Sequence, residues 1–130
     1  GGLGAALCVF LNAEMKSGIE TVLDLIDFDG LLEETDLVVT GEGQIDWQSA
    51  FGKVPSGIGQ RCQAKGIPAV AVVGGMGSGA EKIYEFGVES IIPTINGAME
   101  MEEALERAEE LYRGATERMF RMIRVGMKIK

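Results

Sequence analysis

The sequence predicts an α/β fold: a parallel sheet with alternating helices, of Rossmann-like type. Two observations predict it. The first is the alternation of short runs rich in β-branched residues with segments of helical periodicity. The runs are DLVVT (36–40), IPAVAVVGG (67–75) and VESIIPT (88–94). The second is that IPAVAVVGG is apolar without interruption, as expected for a strand buried on both faces of a parallel sheet.

Gly2 to Met15 reads as a helix that is apolar almost all round, through Leu3, Ala6, Leu7, Phe10 and Leu11. Such a helix is expected to be buried on most sides, here against a part beyond this chain. Ser17 is the expected N-cap of a second helix, and Glu20 three residues later completes a capping box. Ile19, Val22, Leu23 and Ile26 form its apolar stripe. Pro55 to Lys65 is the next helix, with Pro55 at its first position and Gly66 just past its end. Ser78 to Phe86 is another, stopped by Gly87. Glu100 to Arg124 reads as one long helix with a stripe of Met101, Leu105, Ala108, Leu111, Tyr112, Ala115, Met119 and Met122. Its early glutamates and late arginines suit the helix dipole and a solvated face. The order α-α-β-α-β-α-β-α contains no repeat, low-complexity tract or Pro/Ser linker, so residues 1–130 form one α/β unit.

The formal net charge of -8 argues against nucleic acid and anionic membrane as partners, which need clustered Lys and Arg. A small anionic ligand remains compatible with it. Ala5 to Leu11 is too short an apolar run to span a bilayer. Cys8 and Cys62 lack metal spacing and read as free thiols of a reducing cytoplasm. The chain contains no histidine, which excludes a Ser-His-Asp triad or His-ligated zinc built from it.

Ligands of open α/β sheets bind outside the carboxyl ends of the strands. GEGQIDWQSAFGKVP (41–55) is expected to leave the first strand there, bending at the glycines. Gly41 and Gly43 would allow the turn and a close ligand approach. Glu42 and Asp46 offer a general base, hydroxyl acceptors or magnesium ligands. Gln48 and Ser49 can orient a polar substrate. Lys53, just before a helix start, favours an anion. Trp47 can cover a ligand or close a core. Gly52-Lys53 is not a P-loop, because Val54 stands where Ser or Thr is needed. GGMGSG (74–79) lies where a phosphate cradle would, with Gly75, Gly77 and Ser78 as candidate nucleotide contacts, although a plain tight turn fits equally. GGLG (1–4) opens a helix and could present Gly2 and Gly4 to an anion.

GGLGAAL (1–7), DLVVTGEGQIDWQSAFGKVPSGIG (36–59) and IPAVAVVGG (67–75) together resemble the bacterial glycerate kinases of the glycerate 2-kinase type. The family pattern is matched at Gly41, Glu42, Gly43, Asp46, Gln48, Ser49, Gly52, Lys53 and Pro55, and the resemblance covers essentially the whole chain. It implies the C-terminal portion of a longer enzyme with two α/β domains and a cleft between them. Gly1 in place of Met agrees with a missing N-terminal portion. The implied reaction is transfer of the ATP γ-phosphoryl group to glycerate, giving 2-phosphoglycerate, with this chain alone inactive. The implied roles are Asp46 as base or hydroxyl orienter, Glu42 as a Mg2+ or hydroxyl contact, and Lys53 as a cation for carboxylate or phosphoryl oxygens. Gln48 and Ser49 would fix the substrate, and Gly2 and Gly4 would donate backbone N–H groups. The alternative is a non-catalytic module that binds a small acid or nucleotide. The paired carboxylates disfavour it, since an acid sensor needs neutral donors.

Overall fold

A computed structural model describes residues 2–130. Helices α1 (Gly2–Leu11), α2 (Gly18–Leu25) and α3 (Phe28–Leu31) lead into strand β1 (Val38–Ile45). Helix α4 (Val54–Lys65) joins it to β2 (Ala69–Met76). A 3-10 helix, Ala80–Phe86, leads to β3 (Val88–Pro93), and α5 (Met101–Glu106) and α6 (Ala108–Gly126) close the chain. The three strands are parallel in the order β1-β2-β3, with Val38 opposite Ala69 and Ala71 opposite Ile91. The α/β class and the parallel sheet are as the sequence predicts.

The sheet is covered on both faces. Ala71 and Val73 pack with Ile45, Ala80, Ile83, Val88 and Ile91 on one side. Val72 packs against Ala115 and Met119 of α6 on the other. This two-sided burial is why β2 carries no polar residue before Gly74. A third cluster seats Leu32 and Cys62 of α4 against Ala69. Small residues let α4 come close: a Cβ on Gly59 would strike the Phe86 carbonyl, and one on Gly87 the Gly59 carbonyl.

Several expectations are revised. The first helix ends at Leu11, not Met15, where Asn12 turns left-handed at φ 50. None of its residues is buried, and Phe10 stays 82% exposed, because no described element covers it. Ser17 does cap α2, accepting from the Glu20 N–H at 3.3 Å. The reciprocal half of the box is lost, because the Glu20 carboxylate goes to Arg61 at 2.6 Å instead. Pro55 falls at the second residue of α4, one place later than expected. The helix expected from Ser78 starts at Ala80 and has 3-10 form, between Gly79 and Gly87 in left-handed conformations. The long C-terminal helix is broken at Arg107 (φ -97, ψ 15), whose guanidinium bonds Glu103 and Glu110. Beyond the break Leu111, Ala115 and Met119 lie on the sheet, while before it Met101 and Leu105 reach over the strand ends and stay exposed. A straight helix could not do both.

Candidate functional site

The site is built at the carboxyl ends of β1 and β2. β1 does not stop at Thr40: it runs through GEGQI to Ile45, each residue but Gly43 paired in register with β2. The expected bend at Gly41–Gly43 is therefore a correction. Among the described residues the glycines with positive φ are Gly52, Gly66, Gly79 and Gly87. Gly41 and Gly74 serve close packing between β1 and β2 instead. A Cβ on Gly41 would lie 3.3 Å from the Val72 carbonyl, and the Gly43 carbonyl lies 2.5 Å from where a Gly74 Cβ would stand. Glu42 is thereby a ladder residue, half-buried and opposite Val73.

The chain turns at Asp46, which caps a 3-10 turn, Trp47–Ala50. Its Oδ1 accepts from the Gln48 N–H at 2.9 Å. Its own N–H donates to the Ser49 Oγ at 3.1 Å, and the Ser49 hydroxyl lies 3.5 Å from Oδ1. Ser49 is fully buried. The hydroxyl expected to contact a substrate is thus engaged with Asp46 in this structure. Gln48 is exposed beside it.

Gly52, at φ 72, lets the chain leave this turn and enter α4. Lys53 is the N-cap of α4. Its carbonyl accepts from Ser56 Oγ at 2.9 Å and from the Gly57 N–H at 3.1 Å, and its side chain is exposed. The ammonium is thus carried at the positive end of a helix of 12 residues.

The turn after β2 is stitched to this loop. The Gly77 N–H donates to the Ile45 carbonyl at 2.6 Å, and the Trp47 N–H donates to the Ser78 carbonyl at 3.1 Å. Gly77 and Ser78 therefore stand beside Asp46, with the Gly77 amide already engaged. Gly75 is not in the turn: it is the penultimate residue of β2, opposite Gln44. Trp47 meets Phe51 edge-on at 6.4 Å and remains half exposed. Gly2 and Gly4 are not brought to these residues by any described contact; a Cβ on Gly4 would lie 3.4 Å from the Met15 side chain.

The sequence reading missed Gln44. It lines a cavity of about 280 Å³ together with Gly43, Gly74 and Gly75 at the same end of the sheet. Its place in an apparent loop concealed that it is a strand residue at a pocket wall.

A parallel α/β unit with Glu42 near the end of β1, Asp46 just past it and Lys53 at the start of α4 belongs to the class that holds a small polar ligand at that edge. The chain belongs to the glycerate kinase family, whose profile matches residues 1–124. It is 37% identical over 111 residues to a glycerate kinase of Halalkalibacterium halodurans, covering 85% of this chain and 29% of that protein. It is 31% identical over 128 residues to the glycerate 2-kinase of Escherichia coli K12, covering 98% of this chain and 34% of that one. Among solved structures, a protein assigned as glycerate kinase 2 from Salmonella typhimurium LT2 superposes with a TM-score of 0.70 at 31% identity, over 99% of this chain and 33% of that one. The chain thus spans about a third of the length of these relatives.

Proposed function

We propose that this chain is the C-terminal portion of a glycerate 2-kinase, and that the parent enzyme transfers the γ-phosphoryl group of ATP to the 2-hydroxyl of glycerate. The observation that carries the reading is Asp46 at the carboxyl end of β1, flanked in the chain by Glu42 and Lys53, in a chain of the glycerate kinase family, at the edge where α/β proteins bind ligands.

Phosphoryl transfer asks a protein mainly for positioning and charge stabilisation. Asp46 has its backbone and one carboxylate oxygen fixed, so it accepts the glycerate hydroxyl proton, or orients that hydroxyl, as the oxygen attacks γ-phosphorus and ADP leaves. Lys53, at the start of α4, holds the glycerate carboxylate or the phosphoryl oxygens. Gln48 donates to the substrate, and Ser49 keeps Asp46 in place. Gly77 and Ser78 border the phosphates, and Gly2 and Gly4 add backbone donors at the start of α1 once the rest of the parent protein packs there.

Glu42 and Asp46 are the residues that would hold Mg2+. Among the described residues no cluster of three or more His, Cys, Asp or Glu is built for a metal. That fits magnesium, which is held by one or two carboxylates with substrate phosphates and waters rather than by an all-protein cage. When bound, the ion neutralises charge on the phosphates.

The remaining length of the relatives supplies the facing half of the cleft in this reading. The exposed apolar side chains of α1, Leu3, Phe10 and Leu11 among them, support such a neighbour. The compartment is the cytoplasm, supported by the free thiols Cys8 and Cys62. No helix of the described residues is long and apolar enough to cross a membrane.

The test is ADP release by the parent protein with and without D-glycerate, with the product identified by phosphorus NMR. Glycerate-dependent ADP and a 2-phosphate are expected. A 3-phosphate would move the attack to the other hydroxyl, and ADP release indifferent to glycerate would remove the kinase reading.

A further inference from the structure

The cavity at the end of the sheet lies apart from the carboxylates and differs from them in chemistry. It has about 280 Å³. Its floor is backbone: Gly43, Gly74 and Gly75. Its roof comes from α5 and the segment after β3, through Ile95, Met101, Ala104 and Leu105. Gln44 and Thr94 supply the polar groups at its border.

Two details distinguish it from a packing defect. A Cβ on Gly43 or Gly75 would meet nothing within 4 Å. Neither has a positive φ, so the chain could carry side chains there without strain, and their lack keeps the space open. The roof is also apolar and unsatisfied: Met101 and Leu105 are each 68% exposed, although they belong to the apolar stripe of their helix. A cavity with a floor of side-chain-free glycines and an aliphatic roof suits a planar ring, which buries two apolar faces and presents polar edges. Glycerate, small and charged, would gain nothing from such walls.

The slot also adjoins the turn beside Asp46. The Gln44 amide nitrogen lies 2.9 Å from where a Gly77 Cβ would stand, so Gln44 borders both the slot and the turn that is pinned beside Asp46. A ring in the slot would place what it carries at that turn.

We propose that this cavity is the seat of the nucleotide's base, with the ring held between the Gly43/Gly74/Gly75 floor and the Ala104/Leu105 roof, and with Gln44 reading its polar edge. The inference rests on the kinase reading, because it takes the ring to be that of the phosphoryl donor.

The test compares binding of Mg-ATP and of magnesium tripolyphosphate, which has the phosphates without a base, to the parent protein by calorimetry. Ala104→Phe fills the slot, and Leu105→Ser strips its roof at an exposed position that the fold does not depend on. Filling should weaken ATP by about tenfold or more, and stripping by about threefold to tenfold, with tripolyphosphate held within about twofold in both. If the wild type binds ATP and both folded variants bind it equally well, the base sits elsewhere and the kinase reading is untouched. Equal loss of ATP and tripolyphosphate would also overturn the slot, by making the effect one of the phosphates. If the wild-type parent binds neither, the kinase reading falls and the slot with it.

Discussion

The N–H of Asp46 donates to the Oγ of Ser49 at 3.1 Å, and this bond joins a fully buried hydroxyl to the main chain of Asp46 at the end of β1. Together with the Gln48 N–H on Oδ1, it fixes the direction in which Asp46 leaves the sheet. The carboxylate therefore serves two ends, capping a turn and standing at the candidate site, and substitutions can separate them.

Asp46→Asn keeps a good capping side chain, so the melting temperature should barely move. The charge is lost, and turnover of the parent kinase should fall by about 10² or more. Steady-state kinetics beside a thermal melt decides it: near-normal turnover would remove Asp46 as the base.

Ser49→Ala removes the buried partner of the Asp46 N–H. Stability should drop by about 1 kcal/mol, from the lost cap and the unpaired donor. Turnover should fall by about tenfold because the carboxylate loosens. Urea denaturation gives the first number and initial rates the second. A loss of stability at full turnover would confine Ser49 to folding.

Gly87 has φ 85, and a Cβ there would strike the Gly59 carbonyl. Gly87→Ala should therefore cost about 2–3 kcal/mol in urea unfolding. Gly97 has open space around it and makes the control, with Gly97→Ala expected within about 0.5 kcal/mol of wild type. Equal effects at the two positions would contradict the close approach of α4 to the start of β3.

Arg61 bonds Glu20, Asp24 and Asp29 at 2.6, 2.7 and 3.0 Å, tying α2 and α3 to α4. Its hydrogen bond to Asp24 is the largest cause holding that carboxyl below its usual range. A carboxyl depressed in the folded state adds stability above its unfolded pKa and loses it as pH falls through the folded one. Arg61→Met should thus lower the urea midpoint at neutral pH, and the gap to wild type should close below about pH 4. A gap that does not change with pH would show that the aliphatic stem of Arg61, not its charge, does the stabilising.

Cys62 offers a simple check on the core. It is fully buried, and burial pushes its thiol pKa up, whereas Cys8 is partly exposed. A thiol reagent at neutral pH should label Cys8 first and reach Cys62 only after denaturant is added. Early labelling of Cys62 would mean that α4 opens readily from β2.

The strands, the capping Ser17 and the stops at Gly66 and Gly87 were legible because each rests on neighbours in the chain: β-branched runs, a hydroxyl three residues before a free N–H, a glycine where φ must be positive. The charged residues of the candidate site were legible as a set of residue types. Their local structure was not. Gly41 to Ile45 look like a loop by composition, yet they pair with β2, and a hydrogen-bonded ladder outweighs the local preference of glycine.

The sequence by itself determined the α/β class, the parallel sheet and the chemistry available to it: carboxylates, a lysine, amides and no imidazole. Only the folded structure decided that Ser49 is buried against Asp46, that Arg107 breaks the last helix, and that Gln44 borders a cavity with Leu105. The first two are local contacts whose geometry composition does not reveal, and the third joins residues far apart in the chain at one edge of the sheet. Composition and periodicity carry local preference, and such meetings are set by packing and strand register.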